Sequence, residues 1–199
     1  MADALLDYSD SRLEKKFTFE GHITSVGFTY RDFLSWGNDI RCELINGIPY
    51  LMAGASVWHQ RIVSRLNVQL ASFLNGKPCE VFIAPFDVRL FPKEDKSDKT
   101  VVQPDVLVIC DKKKINDGRA CKGPPDFIVE VISENSEGKD LIDKKKLYEK
   151  AGIKEYWAVG EDKLYKYILV NGAFQETVYK MTAGLDVEIS VLKGCTIVF

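Results

Sequence analysis

Apolar residues along the chain follow two periods, one typical of helices and one typical of strands. From residue 62 to 74 they recur at helical spacing, after Ser56 as an N-cap and before Gly76 at the C′ position. A second helical pattern runs from about 137 to 151, and a short helical start lies at 29–34. The pattern therefore predicts two main helices and one short one.

Strand-like runs account for most of the remaining chain. Two Asn-Gly pairs, Asn46-Gly47 and Asn171-Gly172, predict type I′ hairpin turns. Further strands are predicted at 80–90, 101–110, 127–133, 155–159 and within 186–199, with 93–99 as a hairpin loop. This order predicts an α+β (mixed α/β) domain on a central sheet. We expect one domain over 28–199, preceded by an N-terminal arm of residues 1–27.

The composition is that of an ordinary globular protein. Of 199 residues, 46% are hydrophobic and 28% are charged, and no apolar run is long enough to span a bilayer. The acidic N-terminus lacks a secretory signal pattern, so we expect a cytoplasmic protein without a membrane partner. The formal net charge of −2 argues against indiscriminate coating of nucleic acid but is compatible with a local basic strip.

The cysteine and histidine counts argue against metal sites built from thiolates or from several histidines. The five cysteines show no CxxC spacing, which predicts reduced thiols rather than a disulfide framework or a thiolate zinc site. The two histidines, His22 and His59, are too few for a site built from several histidines.

Two acids stand out because they interrupt apolar strands. Asp105 lies within the predicted strand 101–110, and Glu130 lies at the centre of 127–133, which is apolar on both faces. Two buried carboxylates would repel each other, and a hard divalent cation such as magnesium removes that conflict. The alternative is that each acid pairs with a core arginine or with backbone amides.

A lysine in the second helix is the third unusual residue. Lys144 falls in the middle of the apolar face that also carries Leu147 and Tyr148. An ammonium group there needs an anionic partner. Either Asp140, one turn earlier, provides it while the lysine extends to water, or Lys144 reaches the two strand carboxylates.

Taken together, these residues resemble a known family. The motifs are Pro104-Asp105, Glu130-Val131-Ile132-Ser133, Asp140 with Lys144 and Tyr148, Gly152-Ile153-Lys154-Glu155-Tyr156-Trp157, Glu43-Leu44-Ile45-Asn46-Gly47 and His59. In this joint spacing they resemble the Uma-type restriction endonuclease family, a bacterial domain family of unknown function within the PD-(D/E)xK nuclease superfamily. The resemblance covers residues 28–180.

The resemblance implies a restriction-endonuclease-like fold, in which a mixed sheet is flanked by helices. It implies that Asp105 and Glu130 hold magnesium, or manganese, and that the backbone carbonyl of Val131 completes the metal shell. Ile132 stands where the superfamily carries its lysine, and the resemblance implies that Lys144 takes over that role. Gly160 stands where family members commonly carry Asp, a departure that we treat as peripheral.

Other candidate site residues keep two interpretations. Glu43 is a third carboxylate of the site or a surface acid of the hairpin. His59, on the apolar face of the first long helix, is a packed, hydrogen-bonded histidine or a catalytic base. Tyr148 is expected to pack on the face that carries Lys144. Ser133 is expected to bond locally at its strand end, and Asp140 to support Lys144.

The expected function is a magnesium-dependent endonuclease that hydrolyses DNA phosphodiester bonds, with DNA as partner. A homodimer is compatible with the cutting of two strands. The alternatives are a catalytically inactive nucleic-acid-binding or assembly protein of the same fold and a phosphoesterase of small nucleotides. The basic loop that contains Lys112-Lys113-Lys114, Arg119 and Lys122 either follows a phosphate backbone or is a solvated charged loop.

Overall fold

The computed structural model describes residues 27–36, 41–52, 54–132 and 137–199, the last of these with side chains from residue 142 onward. The predicted N-terminal arm, apart from Gly27, lies outside these residues. Backbone contacts divide the chain into two compact units, Met1–Met52 with Lys93–Val101 and Ala53–Pro92 with Val102–Phe199. The expectation of one domain over 28–199 stays a prediction.

The helices and strands follow the predicted order. The helices are α1 (Tyr30–Ser35), α2 (Val57–Leu74) and α3 (Glu137–Ala151), with a short 3-10 helix at Lys112–Ile115. The strands are β1 (Cys42–Ile45), β2 (Ile48–Leu51), β3 (Glu80–Ile83), β4 (Val88–Arg89), β5 (Val101–Val102), β6 (Val106–Ile109), β7 (Cys121–Lys122), β8 (Phe127–Val131), β9 (Glu155–Val159), β10 (Lys163–Val170), β11 (Ala173–Lys180), β12 (Asp186–Ile189) and β13 (Cys195–Val198).

The first unit holds a hairpin and a capped helix. Thr29 and Asp32 form a capping box at the start of α1, each side chain accepting a hydrogen bond from the backbone N–H of the other residue. The β1–β2 hairpin turns at Asn46 and Gly47, whose φ values of +52° and +83° are those of the predicted type I′ turn. An apolar cluster supports both elements and contains Phe28, Tyr30, Trp36, Cys42, Leu44 and Val101.

The second unit is built on a six-stranded mixed sheet in the order β11-β10-β9-β8-β6-β3. The pair β8–β9 is parallel, and the other neighbours are antiparallel. Every residue of β8 and β9 is buried, as the continuous apolar pattern of β8 predicted. Helix α2 packs on β3, β6 and β8, and α3 contacts β9. The predicted mixed α+β fold, with a mixed sheet flanked by helices, is confirmed.

Two of the predicted strands are interrupted. The run 80–90 divides into β3 and β4, and the run 101–110 divides into β5 and β6. Each break contains a proline, Pro85 or Pro104, which has no N–H to donate to a neighbouring strand. The antiparallel pairing expected between the two runs survives in β3 and β6, from Glu80↔Ile109 to Ile83↔Val106. Chain direction is therefore as predicted, but strand length is not.

The cysteines depart from the expectation of five reduced thiols. Cys79 and Cys110 form a disulfide, while Cys42, Cys121 and Cys195 are free and buried. The β3–β6 register ends at Glu80↔Ile109, which places the two bonded cysteines opposite each other one step further along. This pair could not be read from local spacing, because 31 residues separate its members along the chain.

The C-terminal ribbon of β12 and β13 is fastened to α2 by one side chain. The Gln69 amide donates to the carbonyl oxygen of Val198 at 3.0 Å and accepts from the backbone N–H of Val198 at 2.9 Å. Apolar residues of the ribbon, among them Val187, Ile189 and Ile197, join the core cluster under α2. The ribbon therefore completes the layer that covers one face of the sheet.

Candidate active site

Asp105 lies at a bend just before β6 rather than inside a strand. Its Oδ2 accepts a hydrogen bond from the backbone N–H of Val131 at 2.8 Å and lies 3.0 Å from Nε2 of His59. The expectation of a mid-strand position is wrong, because the proline at 104 separates β5 from β6. As a result the carboxylate lies at the end of β8, with its side chain 13% exposed.

Glu130 lies in β8 and points to the opposite face of the sheet from α2. Its neighbours Val129 and Val131 belong to the core cluster under α2, so alternation along the strand directs Glu130 toward α3. There Oε1 accepts hydrogen bonds from Nζ of Lys144, at 3.0 Å, and from the hydroxyl of Tyr148. The register Val106↔Val129 makes Asp105 and Glu130 the next pair along the two strands.

Lys144 turns inward, as its position on the helix predicted. Its side chain is only 13% exposed, so the alternative in which it extends to water is wrong. Lys145 behaves differently, because its Nζ lies 3.5 Å from Glu176 and 4.5 Å from the ring centre of Tyr167. One step along the helix therefore separates a lysine directed at Glu130 from a lysine on the surface of the β10–β11 hairpin.

Tyr148 does more than the packing that its helical position predicted. Its ring is fully buried and meets Tyr156 edge to face, with ring centroids 5.0 Å apart. Its hydroxyl donates to the same Glu130 oxygen that Lys144 contacts. The sequence signal was available, because a buried tyrosine hydroxyl usually finds a hydrogen-bond partner.

His59 joins α2 to the site. Its backbone N–H donates to the Oγ of Ser56, which caps the helix as predicted. The hydrogen bond to Asp105 raises the pKa of His59; burial acts in the opposite direction, and the charges of Asp105 and Glu130 reinforce the rise. His59 is therefore hydrogen-bonded, as one interpretation expected, but its partner is a candidate site carboxylate.

A family comparison covers most of the chain. A sequence model described as "Uma2: Putative restriction endonuclease" matches residues 30–197. The chain belongs to this family. The predicted family is thereby confirmed.

One protein sequence and one crystal structure are similar to this Uma2 chain. An uncharacterized protein of Synechocystis sp. is 31% identical over 109 residues, which are 54% of this chain and 59% of that protein. The match thus spans less than two thirds of the relative's length. A crystal structure described as a "putative nuclease" from Anabaena variabilis is 15% identical, with a TM-score of 0.65 over 83% of this chain and 90% of the other. At that identity the likeness concerns the fold.

Three of the candidate residues are not placed at the site. Ser133 and the side chain of Asp140 lie outside the described residues, so their predicted supporting roles stay predictions. Glu43 lies in β1 of the first unit and is 6% exposed, so its interpretation as a surface hairpin acid is wrong. Its role as a third carboxylate of the site stays a prediction.

Ile132 and Gly160, the two departures from the family pattern, both lie at strand ends. Ile132 follows β8 and is buried, and its N–H donates to the carbonyl of Val159. Gly160 lies in the β9–β10 turn, where a Cβ atom would lie 3.3 Å from the carbonyl oxygen of Lys163. An aspartate at that position would require a small adjustment of the turn.

Three lysines of the basic loop after β6 have partners within the protein. Lys112 lies 2.7 Å from Glu80, and Lys122 lies 3.1 Å from Asp117. Lys114 donates to the carbonyl of Pro124 at 2.7 Å. These contacts favour the interpretation of a charged surface loop over that of a phosphate-binding loop.

The donor set at the site fits a hard divalent cation. Glu130 belongs to β8 and Asp105 lies just before the neighbouring strand β6, and carboxylate oxygens of this kind suit magnesium or manganese. Among the described residues no group of three or more His, Cys, Asp or Glu side chains comes together as a metal site. A cation held here would therefore need a backbone carbonyl, such as that of Val131, and water as its other ligands.

No helix that the structure describes is long and apolar enough to cross a lipid bilayer.

Proposed function

We propose that this Uma2 chain is a magnesium-dependent endonuclease that hydrolyses phosphodiester bonds in DNA. The observation that carries the proposal is the inward-facing ammonium of Lys144, 3.0 Å from Glu130, together with a second carboxylate, Asp105, at the adjacent position before β6. A buried ion pair contributes little net stability, because desolvation offsets the attraction. A group of partly buried ionisable residues at a strand end is better explained by chemistry on a charged substrate.

Each residue of the group has a proposed role. Asp105 and Glu130, with the carbonyl of Val131, would hold magnesium or manganese. When bound, such a cation polarises a phosphate oxygen and lowers the pKa of a coordinated water. Lys144 orients the attacking water or stabilises the additional negative charge on the phosphate in the transition state. Tyr148 is a positioning residue, because its hydroxyl holds the Glu130 carboxylate from the side opposite the strand.

His59 has a proposed positioning role as well. Its Nε2 contacts the same Asp105 oxygen that accepts from the Val131 N–H, so two donors fix the orientation of that carboxylate. Glu43 as a third carboxylate, and Asp140 and Ser133 as supporting residues, remain parts of the proposal. A cytoplasmic location and a homodimer that cuts both strands belong to it too.

The test is a plasmid-nicking assay with magnesium, with manganese and with EDTA. We expect the supercoiled plasmid to be nicked only with the metal ions, and Glu130→Gln and Asp105→Asn to abolish nicking. Nicking that persists in both variants would point to a contaminating nuclease. Failure of the folded wild-type protein to nick DNA or hydrolyse any labelled oligonucleotide would refute the proposal.

A second candidate is supported by the charge balance of the site. The amine of Lys144 contacts Glu130 and the imidazole of His59 contacts Asp105, so the protein's own groups can compensate both carboxylates. This arrangement also suits a nuclease fold that binds nucleic acid without cutting it. Calorimetric titration with manganese separates the two candidates. Binding heat in the wild type that is lost in Asp105→Ala supports the nuclease, whereas no heat in either supports the inactive protein.

A further inference from the structure

Helix α2 lies in an unusually acid-free part of an acidic chain. The protein has 29 acidic residues and a formal net charge of −2, yet no Asp or Glu occurs between Glu43 and Glu80. Within this stretch α2 carries Arg61 and Arg65. A surface of this composition has a local positive potential despite the negative charge of the whole chain.

The outer face of α2 lines a groove. Its lining side chains recur at helical spacing and include Ser56, Gln60, Arg61, Ser64, Arg65 and Val68. Val198 of β13 closes the other side, and none of the lining residues is acidic. We call this surface the α2 groove. Beside apolar side chains such as Val57 and Val68, the groove presents two arginines and neutral polar groups but no acid, and this positive charge suits the phosphates of a polyanion.

The two arginines of the α2 groove are available to a ligand. Both are exposed, and neither guanidinium makes an ion pair or hydrogen bond with another residue in the part of the chain that the structure describes. The lysines of the basic loop differ, since Lys112 is engaged by Glu80 and Lys122 by Asp117. The arginines therefore need not break an existing pair before they bind phosphate, which guanidinium groups do with well-defined geometry.

Their spacing suits a nucleic-acid strand. Arg61 and Arg65 lie one helical turn apart, a separation of about 6 Å along the axis. Phosphates follow one another along each strand of B-DNA at about 3.4 Å of axial rise. If α2 lies parallel to the duplex axis, the positions of Arg61 and Arg65 span about two phosphate steps of one strand.

The α2 groove begins next to the candidate active site. Ser56 lines the groove and accepts a hydrogen bond from the backbone N–H of His59 at 3.1 Å. The imidazole of the same histidine lies 3.0 Å from Asp105. DNA held along the groove would therefore pass the N-terminal end of α2, where the carboxylates lie.

We propose that the α2 groove binds the phosphate backbone of duplex DNA that flanks the cleaved bond, with Arg61 and Arg65 as its main contacts. The inference rests on the proposed function, since it assigns that activity its substrate-holding surface. Gln60 and Ser64 add neutral hydrogen-bond donors beside the two charges. Because these contacts go to phosphates, the groove contributes affinity without reading the base sequence.

The test measures binding of a labelled duplex by fluorescence anisotropy in EDTA, so that cleavage plays no part. For Arg61→Ala/Arg65→Ala we expect binding weakened about tenfold at low salt and a salt-dependence slope smaller by about 2. Arg61→Lys/Arg65→Lys should keep most of that slope, because it keeps the charge. The matched control is Lys163→Ala/Lys180→Ala, which removes two exposed charges from paired positions of the β10–β11 hairpin and should bind like the wild type.

The outcomes separate this inference from the proposed function. Selective loss of binding in the arginine variant supports the groove even if the wild-type protein never nicks DNA. Wild-type cleavage together with unchanged binding in the arginine variant would overturn the groove and leave the nuclease standing. Equal loss in both double variants, or no DNA binding by the wild type, would also overturn it. A change from dimer to monomer in the arginine variant, with DNA binding unchanged, would assign the groove to a second copy instead.

Discussion

Glu130 and Glu155 lie in neighbouring strands of the same sheet, and each contacts a lysine, but their surroundings differ. Glu155, the first residue of β9, is completely buried, and its Oε1 accepts from Nε1 of Trp157 at 2.8 Å and lies 3.4 Å from Nζ of Lys166. Its Oε2 accepts from the backbone N–H of Val191 at 3.0 Å. One acid thus meets one lysine and two neutral donors, and the group attaches the β12–β13 connection to the sheet.

The group at Asp105 and Glu130 is arranged otherwise. Two carboxylates occupy adjacent positions near the end of β8, with Lys144 on Glu130 and His59 on Asp105. Both sites hold a buried glutamate with a lysine on the same sheet, so this pair is not by itself a sign of chemistry. What distinguishes the candidate active site is a second carboxylate beside the first, at a strand end rather than under the C-terminal ribbon.

The largest effect on stability is expected at Glu155. Lys166→Ala would leave that carboxylate buried without its cation and should lower the free energy of unfolding by about 3 to 5 kcal/mol, measured by urea denaturation. The control Lys163→Ala, at an exposed position of the same strand, should change it by less than about 0.5 kcal/mol.

The double variant Glu155→Gln/Lys166→Met should recover most of that loss, because it removes both charges together. Burial raises the pKa of Glu155, and its hydrogen bonds and Lys166 only partly oppose the rise. If Lys166→Ala proved as stable as the wild type, the interpretation of Glu155 as a structural ion pair would be wrong.

The largest effect on activity is expected at Lys144. Lys144→Ala should slow plasmid nicking by about 10² to 10³, since it removes a charge that acts on the transition state. Lys145→Ala should retain the wild-type rate, because Lys145 interacts with Glu176 and Tyr167 instead. Equal loss of nicking in both variants, or loss in neither, would show that the inward position of Lys144 on α3 does not give it a special part in the reaction.

Magnesium should raise the melting temperature by binding at Asp105 and Glu130 and not at Glu155. Magnesium at about 100 times its Kd would stabilise the wild type by about 2.7 kcal/mol, which raises Tm by several degrees. Asp105→Asn should abolish this shift, whereas Glu155→Gln should keep it. A magnesium-dependent shift that survives Asp105→Asn would place the cation somewhere else.

A smaller, pH-dependent effect is expected at Asp126, a single acid with a single lysine. Burial raises its pKa, but hydrogen bonds from Lys154 and the Cys110 N–H outweigh this and hold the pKa below the usual value of 3.8. A lowered pKa contributes stability above 3.8, and that contribution is lost as the pH falls through the folded-state value.

We therefore expect Asp126→Asn to cost about 1 kcal/mol at pH 7, since Lys154 is largely exposed. The difference from the wild type should shrink in urea titrations at progressively lower pH. A difference that stays constant down to pH 2 would show that packing, and not the charge, is responsible.

Local periodicity explains what the sequence predicted well. The helix 137–151 has the predicted bounds, and the spacing of Leu147 and Tyr148 correctly placed Lys144 on the inward face. The Asn-Gly turns and the capped start of α2 follow from the conformational preferences of single residues. These features depend on neighbours within one or two turns of the chain.

The missed features depend on partners far along the chain. The contact of Asp105 with the Val131 N–H and the disulfide of Cys79 with Cys110 follow from strand pairings that no local pattern specifies. Glu155 was visible as an acid at the start of an apolar strand, but only its contacts with Lys166 and Val191 show that it is structural. The acid-free stretch around α2 is visible in the sequence, but only the structure shows that Arg61 and Arg65 share a groove with Val198 of β13.

The amide of Gln69 has a consequence for how molecules of this protein meet each other. It offers Val198 one donor and one acceptor, as a peptide group of an additional strand would. Strands whose edge groups stay open act as templates for intermolecular pairing and aggregation. At Val198 of β13 both backbone groups are already hydrogen-bonded to Gln69 of the same chain. An incoming strand cannot pair with them, which makes this position of the C-terminal ribbon a poor starting point for aggregates in concentrated solution.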